Sequence, residues 1–197
     1  MNIQPKPGAA LANFSGPVLE TARLKLRQWT GADVEPNTAM LSDPGTARFI
    51  AADGKPVTTA LAGWRNAAIM AGHWVLHGFG MFVVEEKQTG TFVGRVGPWF
   101  PPGWPEFEVG WGIASGFRDK GYAVEAARAA IDWSFATFDL DRIVHCIDQE
   151  NTASQGVARR LGAEKQGEFD LFGHVADIWV TQRSGWMAAA PDPGAIG

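Results

Sequence analysis

Cysteine and tyrosine are almost missing from this chain, which has one of each, Cys146 and Tyr122, in 197 residues. A lone cysteine forms no internal disulfide, and the leading stretch Met1-Asn-Ile-Gln-Pro-Lys-Pro-Gly8 has no apolar signal core, so the expected location is the cytoplasm. No run approaches the ~18 apolar residues that a membrane helix needs. A basic excess is absent too. Against 17 Lys and Arg stand 21 Asp and Glu, for a net charge of −4, which argues against the positive footprint of a nucleic-acid binder. His73 and His77 have helical spacing, but His-Trp-Val-Leu-His lacks the glutamate of a zinc protease, and Gly72 and Gly78 flank it. No metal is expected. There is no Gly-Lys-Ser/Thr for a Walker loop. Gly110-Trp-Gly112-Ile-Ala-Ser-Gly116 misses the dinucleotide-binding spacing by one residue and lies in no alternating βαβ series. His145 and Cys146 adjoin on one strand and point to opposite faces, which excludes a nucleophile-base pair and suggests a buried core thiol.

What the chain has is apolar and aromatic mass. Hydrophobic residues make up 46% of it, with nine Trp and twelve Phe, enough to fill the core of a single domain. We expect that domain to span residues 18–186. The segments 1–17 and 187–197, rich in Pro, Gly and Ala and without periodicity, should be flexible. The reading along the chain is a strand over Thr21–Trp29 and a helical stretch over Gly31–Ile50, broken at Asp43-Pro-Gly45. A second helix covers Thr58–Leu76, with Thr58 or Thr59 as cap. A hairpin follows, Met81–Glu86 and Thr91–Gly97, turning at Gly90. Then come a strand at Phe107–Ile113, a helix at Gly121–Phe138, a strand at Arg142–Asp148 and a helix at Thr152–Leu161, capped by Gly162. A closing pair, Glu168–Leu171 and Val175–Thr181, completes the series. Strand-rich ends around a βαβα middle predict an α+β domain with a mixed, mostly antiparallel sheet flanked by helices.

The segment Val109–Ala126 is the most informative: an apolar strand, a short basic turn bearing glycine, and an Ala-rich helix. Such a turn can hold a pyrophosphate. N–H groups at a helix start lack partners, and the macrodipole adds positive charge there. Gly121 can adopt a positive φ and admit phosphate oxygens to the main chain, Arg118 and Lys120 add charge, and Ala123 keeps the first turn thin.

Arg118-Asp119-Lys120-Gly121-Tyr122-Ala123 fits Arg/Gln-x-x-Gly-x-Gly/Ala, and so resembles the acyl-CoA loop of the GNAT N-acetyltransferases. The likeness extends downstream to Asn151-Thr-Ala-Ser154-Gln-Gly-Val157, before a helix ending Leu161-Gly162. Upstream, Glu20-Thr-Ala-Arg-Leu-Lys-Leu-Arg-Gln-Trp29 is similar to the first strand of the RimJ/RimL-like branch. The resemblance implies the GNAT fold and acetyl-CoA as co-substrate. It also implies transfer of acetyl to a primary amine of a small molecule or a protein N-terminus, directly within a ternary complex. Acetyl-CoA and the amine are the expected partners, with no nucleic acid or membrane, and homodimerisation is left open.

Residue by residue, the resemblance assigns the oxyanion donor to a backbone N–H near Trp111, where the sheet splays, and cofactor contacts to Trp111, Gly112, Ile113, the turn 118–123, Asn151 and Ser154. Glu106 and Glu108 share a strand face opposite Phe107, Val109 and Trp111. Glu108 matches the family's glutamate base, with Asp170 and His174 as alternatives. The tyrosine acid of many members is closed to this chain, because Tyr122 sits in the phosphate turn. Ser154 is then carried over to the CoA sulfur. Where RimL-like enzymes hold a glutamate in the closing strands this chain has Gly173, which puts a ribosomal substrate in doubt. It also keeps a catalytically silent acyl-CoA-binding module as the alternative. The stretch Gly97-Pro-Trp-Phe-Pro-Pro-Gly-Trp-Pro105 offers Trp99, Phe100 and Trp104 as acceptor contacts on a proline-stiffened surface.

Overall fold

The computed structural model describes residues 6–7, 14–51, 53–171 and 173–189. Its strands are β1 (Leu19–Glu20), β2 (Leu24–Arg27), β3 (Phe82–Glu86), β4 (Thr91–Trp99), β5 (Glu108–Ile113), β6 (Arg142–Asp148), β7 (Glu164–Leu171) and β8 (His174–Gln182). The helices are α1 (Val34–Ser42), α2 (Pro44–Ile50), α3 (Ala60–His77), α4 (Tyr122–Thr137), α5 (Thr152–Arg160) and α6 (Arg183–Ala189). The strands form one sheet in the order β1-β2-β3-β4-β5-β6-β8-β7. All neighbours are antiparallel except β5 and β6, which are parallel. The α+β expectation holds.

Local chemistry explains most element ends. Asp43 caps α2 by accepting from the Thr46 N–H, with Pro44 at the first helical position, and this splits the expected 31–50 stretch in two. Thr59 caps α3 through the Ala62 N–H, and Gly78, at φ 75°, ends it. Differences arise where packing decides. The expected strand over 21–29 is interrupted by a bend at Thr21–Arg23, where Thr21 and the Arg23 backbone bond to Glu125 of α4. The closing hairpin is longer than its alternation suggested. The expected boundary between residues 186 and 187 falls inside α6, whose Trp186 donates to Asp132 of α4 at 2.7 Å. Flexibility of residues 1–5, 8–13 and 190–197 lies outside the described residues.

The main core lies between α4 and one sheet face. Alanines 126, 127 and 130 and Ile131 bring α4 close to Leu24, Leu26, Val84, Val93, Val96 and Val109, all fully buried. A smaller cluster, Met40 with Val83 and Phe92, joins α1 to the opposite face. At ~25 cal/mol per Å2 of apolar surface this burial is the main favourable term. It fixes the two central strands that carry the site.

Candidate active site

Parallel pairing of β5 with β6 stops almost as soon as it begins. Glu108 pairs with Val144, the Val144 N–H reaches the Phe107 carbonyl at 3.1 Å, and beyond that the strands diverge. Backbone groups stranded by the splay are satisfied by side chains. The Cys146 N–H donates to Glu108 Oε1 at 3.0 Å, and His145 Nδ1–H donates to the Val109 carbonyl at 2.7 Å. Because a carbonyl only accepts, Nε2 of that imidazole must accept from the Thr181 hydroxyl, at 3.0 Å. Burial pushes the His145 pKa down to about 4, so the ring is a neutral brace.

Strand parity then sorts β5. Ala114 N–H turns to Val93 of β4 while the Val109 carbonyl turns to β6. The backbone groups of Trp111 and Ile113 therefore face the splay and those of Gly112 face β4. Of the three expected strand contacts, only two present main-chain groups to the opening. Gly112 serves the other side: a Cβ there would stand 3.0 Å from Ile50 Cδ1.

A cavity of about 440 Å3 runs through the splay, with Glu108, Trp99, Trp104 and Arg95 among its lining, together with Trp111, Asn151 and Ser154. Glu108 is 6% exposed, and burial raises its pKa to about 7 against the hydrogen bonds from Trp104 Nε1–H and the Cys146 N–H. Ser154 Oγ accepts from Trp111 Nε1–H at 3.2 Å, leaving its own hydroxyl hydrogen free to donate. Asn151 caps α5 by accepting the Ser154 N–H at 3.0 Å.

Other expected residues fall differently. Glu106 precedes β5 and forms a two-pronged pair with Arg142, at 2.8 Å for each bond. Phe100 is 41% exposed, does not line the cavity, and donates its N–H to His73. Asp170 closes the β7–β8 turn by accepting the Gly173 N–H at 2.5 Å, whereas His174 does line the cavity. Cys146 corrects the expectation of a core thiol, because it is half-buried on the cavity wall, where burial and the neighbouring Glu108 carboxyl push its pKa well above the usual thiol range. His73 and His77 stack, and no group of His, Cys, Asp or Glu among the described residues is placed to hold a metal. Tyr122 is buried, its hydroxyl donating to Glu86, away from the splay.

At the basic turn Gly121 takes φ 79° and Asp119 φ 60°. No side chain caps α4 there, and the first bond into the helix runs from the Glu125 N–H to the Gly121 carbonyl. The N–H groups of Tyr122, Ala123 and Val124 are thus without helical partners, as an anion cradle requires. Arg118 leans toward α2, pairing with Asp43 at 3.2 Å and donating to Thr46, while Lys120 lies over the Phe117 ring. Sequence reading missed Arg23. It ion-pairs with Glu125, donates to the Lys120 carbonyl at 2.9 Å and lies over the Tyr122 ring, so it braces the turn from the bend before β2. No local motif signals it.

The chain belongs to the acetyltransferase (GNAT) domain family, whose model matches residues 23–164. Among relatives it is 35% identical over 63 residues to YnaD of Bacillus subtilis, an uncharacterized N-acetyltransferase by name. That stretch is 32% of this chain and 37% of YnaD, so the similarity spans well under two thirds of the relative. An acetyltransferase structure from Agrobacterium tumefaciens has a TM-score of 0.75 and 28% identity, covering 89% of this chain and all of that one. The fold is also that of RimL, a ribosomal L7/L12 α-N-protein acetyltransferase in complex with coenzyme A, at a TM-score of 0.69 and 16% identity over 84% of this chain and 98% of RimL.

Proposed function

We propose that the protein is an acetyl-CoA-dependent N-acetyltransferase that moves an acetyl group to a primary amine by direct transfer in a ternary complex. One observation carries the reading. A single cavity passes through the splay, with the near-neutral carboxyl of Glu108 on one wall and Ser154 beside the free strand edge on another. Both substrates can therefore meet without a covalent enzyme intermediate.

The uncapped start of α4, with positive φ at Asp119 and Gly121, fits the pyrophosphate of acetyl-CoA. At φ 79° Gly121 holds a backbone conformation that side-chain-bearing residues rarely adopt, so a Cβ there strains the cradle. The thioester supplies an activated acetyl group. Glu108, as carboxylate, removes a proton from the acceptor ammonium, directly or through water, so the nitrogen lone pair can form the C–N bond. Negative charge growing on the acyl oxygen is met by the Trp111 N–H at the splayed edge. As the C–S bond breaks, Ser154 Oγ–H donates to the sulfur, which receives the second proton released by the nitrogen. Amide, free thiol and protonated Glu108 are left.

Thiol release from acetyl-CoA with a panel of primary amines tests this. Wild type should release CoA stoichiometrically with acetylated amine, and Glu108→Gln should not. Retained CoA binding with silence toward every amine would mean an acyl-CoA-binding module instead.

A further inference from the structure

Arg95 is 5% exposed on β4, yet its guanidinium meets no carboxylate among the described residues: Nη1 donates to the Asn66 amide oxygen at 2.6 Å. A guanidinium has five N–H donors, and burying a cation without a counter-charge is strongly unfavourable. Burial lowers its pKa only to about 10, so the charge persists at neutral pH. Asn66 is an uncharged amide and does not neutralise it, and its oxygen is shared with Asn37, which donates to it at 3.1 Å.

The position of this cation is specific. Register pairs Trp99 with Glu108, Gly97 with Gly110 and Arg95 with Gly112, so these residues share the face that bears the base. Between them Gly110 lines the cavity beside Met81, whose Cε would stand 2.8 Å from a Cβ there, while Gly97 is packed under the Gly80 carbonyl, 3.0 Å from where its Cβ would be. Both Glu108 and Arg95 line the one cavity. Met70, Met81 and Trp99 supply its apolar sides.

Resting on the acetyltransferase reading, we propose that the acceptor is a small primary amine with an apolar body and a carboxylate, the amine at Glu108 and the carboxylate on Arg95. A single buried cation balances a single negative charge, and the planar guanidinium matches a carboxylate two-pronged. A phosphate monoester, with nearly two charges, would leave one uncompensated. A neutral amine leaves Arg95 buried and unpaired.

The test is equilibrium titration of matched ligands, phenylalanine against phenylalaninamide and 6-aminohexanoate against its primary amide, with CoA present and absent. In at least one pair the carboxylate should bind wild type ten-fold or more tightly than the amide, and Arg95→Met should reduce that ratio to near one. Arg95→Lys, which keeps the charge but loses the fork, should fall between. CoA titration reports separately on the cofactor site, so its failure counts against the acetyltransferase reading and not against the anion site. Equal binding of carboxylate and amide in both pairs by wild type overturns the proposal, as does a preference that survives Arg95→Met. Tighter binding of a C-terminally amidated peptide with no acidic side chain than of any carboxylate ligand also overturns it.

Discussion

In the proposed mechanism Glu108 is the residue on which the chemistry turns. Because burial lifts its pKa from 4.5 to about 7, kcat/KM should rise with pH through a limb near that value. Glu108→Gln should abolish the limb and lower turnover by ~100-fold or more near neutrality, with partial recovery at high pH, where more amine arrives neutral. A normal rate at neutral pH in this variant would move the base elsewhere, with His174 the remaining imidazole on the cavity wall. Stability gives a second reading. The folded state holds the Glu108 proton more firmly than the unfolded chain does. Its contribution is therefore full below about pH 4.5 and lost as pH rises through about 7. The range is on the order of 3 kcal/mol. Glu108→Gln cannot ionise, so denaturant unfolding should show it gaining on wild type between about pH 5 and 8.

At the scale of elements, two devices shape the site: the turn before α4 and the splay between β5 and β6. Gly121→Val puts a branched side chain at φ 79°, and Arg23→Ala removes the brace on the Lys120 carbonyl. Each should weaken CoA, by ten-fold or more for Gly121→Val and several-fold for Arg23→Ala. Calorimetric titration reads both, and unchanged affinity in a folded Gly121→Val protein contradicts the cradle. In the splay, His145→Leu strips partners from the Val109 carbonyl and the Thr181 hydroxyl. It should cost about 1–3 kcal/mol of unfolding free energy. The pH limb should stay in place, since a neutral brace is not the base.

For the whole molecule, ligand binding and folding are linked. CoA at a hundred times its Kd should add about 2.7 kcal/mol to stability by mass action, read as a rise in Tm, and a nicotinamide dinucleotide should add nothing. No shift at millimolar CoA would sink the cofactor assignment. The net charge of −4 fits this picture, because positive charge is needed only where the anion sits. Among the described residues, no helix is long and apolar enough to cross a membrane.

Sequence alone determined what neighbouring residues settle among themselves. Gly121 announces a positive φ, Thr58 or Thr59 the start of α3, and Asp43-Pro-Gly45 the break before α2, because each is settled within a few residues of itself. Strand period likewise marked residues 107–113 as a strand with Glu108 on one face and Val109 and Trp111 on the other. Tertiary structure decided the rest. Whether Glu108 is a solvated strand-end charge or a carboxyl held near neutrality depends on burial, which outweighs the hydrogen bonds it accepts from Trp104 and from Cys146, 38 residues away. Arg95 looks like any polar strand residue until the fold buries it on the cavity wall and brings the Asn66 amide, 29 positions earlier, to within 2.6 Å. Arg23 meets its turn only across 97 residues. Burial and the presence or lack of a counter-charge are properties of elements brought together from afar, and no local pattern encodes them.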